Sequence, residues 1–341
     1  MLRGTLIGVA VIAALGAGVW LGGETLAADR LRQHIAQSPG MEAAAVTPLR
    51  STDGMGLMLE APILGDGLTG IALPWARLLL APTALTTVQL DLPPESTLTL
   101  DGQPHALTAT STEASLGLSP LRRLAVNALT LAARDLRIDG LALAQMIDLD
   151  LVMQRLGHDS PRAARASYDA DITLDGMSPA GLAQLGIAAG ALPGDLSAQG
   201  VLRLWLDGPL QPGQARPARL IGGQTDGLIL TSGDLSVRIV ARLSPDAEGF
   251  AEGRVALYTG DAPAMIGHMA ELGLIPDGAQ LLIRAGLSQL GRAEFPQSDA
   301  PMPGPVFAPA ASDELRLPLV FQDGQVFIGA IPIGPAPRLL L

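Results

Sequence analysis

The residues best suited to acid–base or metal chemistry in this sequence are four histidines, and their spacing argues against both. They are His34, His105, His158 and His268. No two of them have the His-x-x-x-His spacing that a helical zinc site requires. His268 and Glu271 are three residues apart, and we interpret them as a pair on one helix surface. We therefore predict no catalytic residue and no metal ligand.

A serine nucleophile of the Gly-x-Ser-x-Gly type is also absent from the sequence. The nearest match runs from Gly176 to Gly181 around Ser178 and has one residue too many. Helix capping explains Ser178, because Pro179 follows it at a first helical turn. A triad assembled from distant segments stays open, and with it an unrecognised hydrolase. A histidine that meets a carboxylate and a serine in one cleft would favour that alternative.

A glycine-rich segment, Gly65-Asp66-Gly67-Leu68-Thr69-Gly70, matches the dinucleotide fingerprint Gly-x-Gly-x-x-Gly. It follows an alternating run at residues 57–64, and Asp91 lies near the spacing of a ribose-binding acid. However, Pro74 interrupts the segment that would have to form the helix, and no second βαβ unit follows. We interpret the segment as a glycine-rich loop and predict no cofactor.

An acidic row alternates along the segment that ends at Gly176. Its members are Asp169, Asp171, Thr173 and Asp175. Counted from Asp171, Gly176 fits the sixth position of a calcium loop, but Leu182 stands at the twelfth, where a carboxylate is needed. We predict a solvated strand face here, with a weak cation site as the alternative.

The elements that position these residues are indicated by a short phrase, an alternating apolar and polar run that ends in Asp-Gly. Alternation with a period of two places Leu and Ile on one face of a strand, and Asp-Gly supplies the positive φ angles of tight hairpins. The sequence therefore predicts a large antiparallel sheet with one apolar face. The phrase ends at Asp101-Gly102, Asp139-Gly140, Asp175-Gly176, Asp207-Gly208 and Asp323-Gly324.

Further patterns along the chain complete the predicted order of elements. Strands are predicted at residues 56–64, 87–92, 97–106, 121–138, 166–175, 198–206, 227–231, 234–243, 251–258, 314–321 and 325–328. Helices are predicted at residues 24–38, 141–156, 178–189, 262–272 and 279–290. The loop-like residues 157–165 predict a split into two subdomains, and the proline-rich residues 294–313 predict an extended surface loop.

Residues 4–23 carry no charge and are long enough to span a bilayer as a helix. Arg3 precedes them, which favours a cytoplasmic N-terminus, and Trp20 lies at the far end of the apolar run. We predict a cytoplasmic tip at residues 1–3, a transmembrane signal anchor at residues 4–23 and a periplasmic region at residues 24–341. A cleaved signal peptide with its site near Thr25-Leu26-Ala27 is the alternative.

Composition excludes several classes of protein. A net charge of −11 argues against nucleic-acid binding, because phosphate contacts need a basic surface. The absence of cysteine excludes disulfides and thiolate zinc sites. With 48% hydrophobic but only 3% aromatic residues, the core must be mainly aliphatic.

The C-terminal segment, residues 317–337, reads LPLVFQDGQVFIGAIPIGPAP. It resembles the closing motif of a proteobacterial envelope family known as domain of unknown function 2125. The preceding order of a strand pair near residues 244–253 and helices at 262–274 and 279–290 is similar to that family as well. The resemblance extends over residues 24–341, implies an envelope location and brings no catalytic residues. More loosely, the strand-Asp-Gly pattern resembles AsmA-like envelope proteins, whose curved sheets hold lipid in a groove.

These patterns predict a mainly β (α+β) fold with long, curved antiparallel sheets and several packed helices after an N-terminal transmembrane helix. We expect a single-pass inner-membrane protein with a binding or structural role in the periplasm, holding lipid acyl chains on its leucine-rich sheet face. In the competing interpretation, that face is only the core of a closed sandwich. A scaffold that binds another envelope protein, through sheet edges or residues 294–313, is a further alternative.

Overall fold

The fold is seen in a computed structural model, which describes most of the chain. The described residues are 24–37, 40–51, 54–65, 67–80, 84, 86–187, 192–211, 218–271, 295, 304–312, 314–329 and 331–339. The chain forms two compact units. Unit 1 comprises Met1–Met153 and Pro209–Ala218, and unit 2 comprises Gln154–Gly208 and Arg219–Leu341.

Unit 1 is built from one helix and twelve strands in its described residues. The helix α1 (Glu24–Gln37) precedes β1 (Met41–Glu42), β2 (Ala45–Ser51), β3 (Gly54–Glu60), β4 (Ile63–Gly65), β5 (Gly70–Ala72) and β6 (Trp75–Leu80). They are followed by β7 (Thr87–Asp91), β8 (Glu95–Leu100), β9 (Gln103–Thr108), β10 (Ser111–Ser119), β11 (Ala125–Ile138) and β12 (Leu141–Gln154). A 3₁₀ turn, Pro120–Arg122, separates β10 from β11.

The short strands of unit 1 are halves of longer, bent strands. On one side of the bend the antiparallel order is β2, β3, β6, β7, β10, β11 and β12, and on the other it is β1, β4, β5, β8, β9 and β11. Prolines lie at the bend. They have no N–H to donate, but their carbonyl oxygens still accept hydrogen bonds. Pro74, Pro62 and Pro94 accept from the N–H groups of Ala61, Leu73 and Ala109 at 3.0, 2.9 and 2.8 Å. The result is the long antiparallel sheet that the sequence predicts.

The core of unit 1 lies between this sheet and α1. Ala28 and Leu31 of α1 are fully buried, and so are Leu57 and Leu59 of β3. Arg32 on the same helix donates to the carbonyl oxygen of Val46, 2.9 Å away, so the helix also binds the backbone of β2.

Unit 2 is a second antiparallel meander in which each strand pairs with the next along the chain. Its strands are β13 (Ala166–Met177), β14 (Leu196–Leu206), β15 (Leu220–Ser232), β16 (Leu235–Pro245), β17 (Ala251–Thr259), β18 (Leu315–Gln322), β19 (Gln325–Ile328) and β20 (Ile331–Pro335). Its described helices are α2 (Pro179–Gln184) and α3 (Ala262–Glu271). Ser178 caps α2 as predicted, accepting from the N–H of Gly181 at 3.0 Å.

Three of the five Asp-Gly pairs that end the alternating runs form the predicted hairpin turns. Asp101-Gly102, Asp139-Gly140 and Asp323-Gly324 all have positive φ and join adjacent strands. The prediction is wrong for the other two pairs. Gly176 (φ 60°) lies in a register shift inside β13, and Asp207 lies just beyond β14, where its carboxylate accepts from the N–H of Arg219 at 2.8 Å.

The helix predicted at residues 141–156 is wrong, because this segment forms β12. Residues four apart share a face in a strand as well as in a helix, so Leu143, Ile147 and Leu151 fit both patterns. The alternation of Ile147, Leu149 and Leu151 with two aspartates fits a strand alone, and β12 pairs with β11 over its length.

The bounds of other predicted elements differ less from the observed ones. The helix at residues 178–189 shortens to α2, and the strand at 121–138 begins at Ala125, after the 3₁₀ turn. The described ranges contain three α-helices, so the expectation of several packed helices is not supported. None of those helices is long and apolar enough to cross a bilayer. The predicted span at residues 4–23 and the predicted helix at 279–290 lie outside the described residues.

Candidate functional site

The sheet of unit 2 has two chemically different faces, because successive side chains of a strand point to opposite sides. We name one of them the leucine face. Cross-strand pairs define it, such as Leu228 with Ile239, Ile239 with Leu257 and Leu257 with Leu317. Its main members are Ile172, Leu174, Leu202, Leu204, Leu228, Leu230, Val237, Ile239, Val255, Leu257, Leu317 and Leu319.

The leucine face is covered in one part and half-buried in the other. In the covered part, on β17 and β18, Leu257, Leu317 and Leu319 are exposed by only 8%, 2% and 7%. They belong to one cluster with Met265 and Ile266 of α3, which are also buried. The half-buried part lies on β13–β16. Its large aliphatic members, all of intermediate burial, are Ile172, Leu174, Leu202, Leu204, Leu228, Leu230, Val237 and Ile239. On the same face of β13 and β14, Tyr168, Ala170 and Ala198 are buried. Val237 and Ile239 also pack against the cluster that contains α3.

The opposite side of the sheet, which we name the arginine face, has five arginines on β14 and β16–β18. They are Arg203, Arg238, Arg242, Arg254 and Arg316. One cross-strand row runs from Asp169 through Arg203, Gln224 and Arg242 to Arg254.

Arg203 and Asp169 form a two-pronged ion pair at one end of this row. The Nε and Nη2 atoms of Arg203 donate to the two carboxylate oxygens of Asp169 at 2.7 and 2.9 Å. The bound carboxylate raises the pKa of Arg203 above its ordinary value. The carboxylate of Asp169, a member of the acidic row, is therefore already bound by an arginine.

Arg242 lies in the middle of the row and is largely enclosed. Its guanidinium carbon is 4.7 Å from the ring centre of the buried Trp205, its Nη1 donates to Gln224 Oε1 at 3.0 Å, and its Nη2 donates to the carbonyl of Asp159. Burial lowers the pKa of Arg242, and the Asp159 carboxylate, 4.0 Å away, offsets that effect only in part. The partners closest to this cation are neutral oxygens and an aromatic ring.

Residues 304–312 cross the other end of the arginine face, and we name them the strap. The Tyr258 hydroxyl donates to the carbonyl of Ala308 at 2.7 Å. Arg316 donates to the carbonyls of Phe307 and Ala308 at 3.2 and 3.3 Å. Burial raises the pKa of Tyr258. These bonds show that the described strap is fastened to the sheet.

Arg238 completes this end of the arginine face. Its guanidinium carbon is 3.9 Å from the ring centre of Tyr258, and its Nη2 donates to Glu314 Oε2 at 3.0 Å. The charges that we can follow on this face are thus engaged by carboxylates, carbonyls or rings, an arrangement suited to stabilising the sheet.

The candidate catalytic residues of the sequence do not converge. His105 contacts Asp139, with 2.7 Å between Nδ1 and Oδ2, and His268 lies 3.4 Å from Glu271. Within the described residues, neither histidine bonds to a serine hydroxyl. His158 is exposed, and the side chain of His34 lies outside what the structure describes.

The glycine-rich segment at residues 65–70 is a hairpin loop, as interpreted from the sequence. Gly65 pairs with Gly70, and Leu64 pairs with Ile71, so the segment joins β4 to β5 rather than a strand to a helix. Of the acidic row beyond Asp169, Asp175 accepts from the Ser197 hydroxyl at 2.8 Å, and Asp171 is exposed.

The sequence reasoning did not predict the arginine face. Its signal was available, because Arg238 and Arg242 alternate with apolar residues on β16 just as the leucines do. Alternation along a strand places one set of side chains on each face, and the prediction of an apolar face concerns only one of the two sets.

Comparison with known proteins adds the family to this geometry. No curated protein and no solved structure matches the chain. A family model described as "Uncharacterized protein conserved in bacteria (DUF2125)" matches residues 54–337, well over half of the 341 residues. This match includes the closing motif, from which the resemblance was inferred. The chain therefore belongs to the bacterial family of domain of unknown function 2125.

Proposed function

We propose that this protein is an envelope binding protein, anchored in the inner membrane through residues 4–23, that holds a lipid acyl chain in the periplasm. The binding surface is the half-buried part of the leucine face. One observation carries the proposal: the large aliphatic side chains of this surface remain half-buried in the folded chain, whereas those of the covered part are almost inaccessible.

The size of the surface suits an acyl chain. Four neighbouring strands, β13–β16, span about 14 Å at the usual strand spacing of about 4.8 Å. Each methylene removed from water contributes about 0.8 kcal/mol, so ten methylenes contribute about 8 kcal/mol before the costs of association. Few aromatic rings interrupt the surface, which favours a flexible aliphatic ligand over a planar one.

The membrane anchor and the periplasmic location rest on the sequence. An uncharged run of bilayer length follows Arg3, which supports insertion with the N-terminus in the cytoplasm. Membership in the family supports a bacterial protein but adds no activity.

A photoreactive fatty acid tests the proposal at residue level. It is added to membranes that contain the full chain, and the cross-linked peptides are mapped by mass spectrometry. We expect adducts on β14–β16 in addition to any on residues 4–23. Adducts confined to residues 4–23 would show that the leucine face is ordinary core.

Adjacent residues of β15 provide a matched pair of variants. Leu228 lies on the leucine face, whereas its neighbour Ile229, exposed by 42%, lies opposite Arg238 on the other face. Leu228→Asn should remove the adducts on β14–β16, and Ile229→Asn should leave them. Equal loss in both variants would indicate a general disturbance of the sheet and count against the proposed surface.

A further inference from the structure

The turn between β10 and β11 in unit 1 exposes a large apolar side chain almost completely. Leu121 is 98% exposed, and among the described residues the next most exposed large apolar side chain, Val306, is at 85%. A single exposed leucine is common on protein surfaces. The backbone and the charges around Leu121 distinguish it from that ordinary case.

The backbone of this turn is held in a conformation that non-glycine residues rarely adopt. Arg123 and Leu124 follow one another with φ of 55° and 61°. Such residues persist only where their surroundings hold them, and they cluster at functional positions. The turn is held by the N–H of Leu124, which donates to Ser119 O at 2.9 Å, and by Gln211, whose Nε2 donates to Arg122 O at 3.3 Å.

The turn is also locally basic in an acidic chain. Arg122 and Arg123 are both exposed and form the one adjacent pair of basic residues in the sequence. Between Glu113 and Asp135 the sequence has no carboxylate, although the whole chain carries −11. Arg122 Nη1 lies 2.8 Å from Met153 Sδ, an uncharged and weak acceptor that leaves the positive charge in place.

We propose that residues 119–124 bind the surface of a bilayer that contains anionic phospholipid. Leu121 inserts beneath the headgroups, and the guanidinium groups of Arg122 and Arg123 contact lipid phosphates. An apolar side chain beside basic ones is the composition that binds anionic membrane surfaces, and arginine keeps its charged end at the headgroup level. This contact is independent of whether the leucine face of unit 2 holds an acyl chain.

The chain has no cysteine, so a fluorescent label can be attached at one chosen residue. Full-length Leu121→Cys is labelled with an environment-sensitive fluorophore and reconstituted in vesicles of phosphatidylcholine, with or without phosphatidylglycerol. We expect a blue-shifted emission and quenching by acyl-brominated lipid only when phosphatidylglycerol is present. Salt at about 0.5 M, where the Debye length is about 4 Å, should reverse both.

Val306→Cys is the matched control, because Val306 is also highly exposed but lies in the strap of unit 2. The emission of the fluorophore at residue 306 should be that of a water-exposed label in both kinds of vesicle. Arg122→Gln/Arg123→Gln, made in the Leu121→Cys chain, should return the label at residue 121 to water-exposed emission, with an unchanged circular dichroism spectrum.

Water-exposed emission from residue 121 in both kinds of vesicle would overturn the proposal. So would a membrane signal that persists in the double arginine variant. A label that is shielded in native membranes but exposed in vesicles would point to a protein partner and would equally reject the lipid surface.

Discussion

The two parts of the leucine face in unit 2 have nearly the same composition and very different burial. On β17 and β18, Leu257 and Leu317 belong to one cluster with Met265 of α3 and are almost inaccessible, whereas Leu228 and Leu230 on β15 are half-buried. The strands themselves do not differ in pattern. The buried part belongs to a cluster that contains Met265 and Ile266 of α3 and Val326 and Ile328 of β19, so the burial of an apolar strand face depends on the elements that pack against it.

The largest expected effect comes from cutting a side chain in the covered part. Leu317→Ala should lower the free energy of unfolding of unit 2 by about 2–5 kcal/mol, because Leu317 is 2% exposed and its truncation leaves a cavity in an apolar cluster. Leu230→Ala, in the half-buried part, should cost about 1 kcal/mol.

Urea denaturation followed by tryptophan fluorescence measures both variants. The chain has three tryptophans, Trp20, Trp75 and Trp205, so replacing the first two with Phe leaves Trp205 as a reporter of unit 2. Equal losses for the two leucines would show that the half-buried part is as tightly packed as the covered part.

A smaller effect is expected from loosening the strap on the arginine face. Tyr258→Phe removes the hydroxyl that donates to Ala308 O and should cost about 1 kcal/mol. Proteolytic cleavage within residues 304–312 should become faster at the same time. An unchanged cleavage rate would mean that this hydrogen bond does not hold the strap against the sheet.

A still smaller effect is expected at the half-exposed ion pair. Arg203 and Asp169 side chains are 40% and 22% exposed, so solvent screens their attraction. We expect Asp169→Asn to lower the stability of unit 2 by about 0.5–1 kcal/mol. The same Trp205 denaturation experiment measures it, with Asp171→Asn as the control, since Asp171 is exposed on the same strand. A loss as large as that for Leu317→Ala would contradict the ordering by burial.

The smallest effect is expected at an exposed carboxylate in unit 1. Asp139 accepts from His105 and from the N–H of Ala106, and these hydrogen bonds hold its pKa below the ordinary value. A lowered pKa in the folded state stabilises the fold above the unfolded pKa of about 3.9 and loses that effect as the pH falls through the folded value.

Asp139→Asn should therefore be less stable than the parent chain at neutral pH, and the difference should shrink below about pH 4. Fluorescence of Trp75, with Trp20 and Trp205 replaced, reports unit 1 during denaturation at each pH. A difference that stays constant down to about pH 2 would show that the carboxylate charge at the turn makes no contribution.

The sequence predicts strands well where alternation and turn chemistry agree. The hairpin at Asp323-Gly324 shows this, since both turn residues adopt the positive φ expected of them. The prediction fails where the helical and the strand periodicity fit the same residues, as at Leu143, Ile147 and Leu151 of β12. It also fails where Asp-Gly serves a bulge, as at Gly176. In each case, long-range pairing decides between local options of similar energy.

For the candidate site, alternation along each strand predicts an apolar face but not its cover. Nothing in the run around Leu228 and Leu230 indicates that it stays half-buried, because α3 lies far along the chain and packs on other strands. The arginine face depends in the same way on the strap, which returns to the sheet some fifty residues after Tyr258. Which segment packs on a sheet face is decided by tertiary contacts, and local sequence patterns do not predict those contacts.

The division of the chain into units has a consequence for biosynthesis. In both meanders most strands pair with one that has already been made, so pairing can advance as the polypeptide emerges. Unit 1 also includes Pro209–Ala218, where Leu210 O accepts from the N–H of Val126 at 2.8 Å. Synthesis must therefore pass through β13 and β14 before the first unit is complete. A truncation after β12 would end before the segment that finishes the earlier unit.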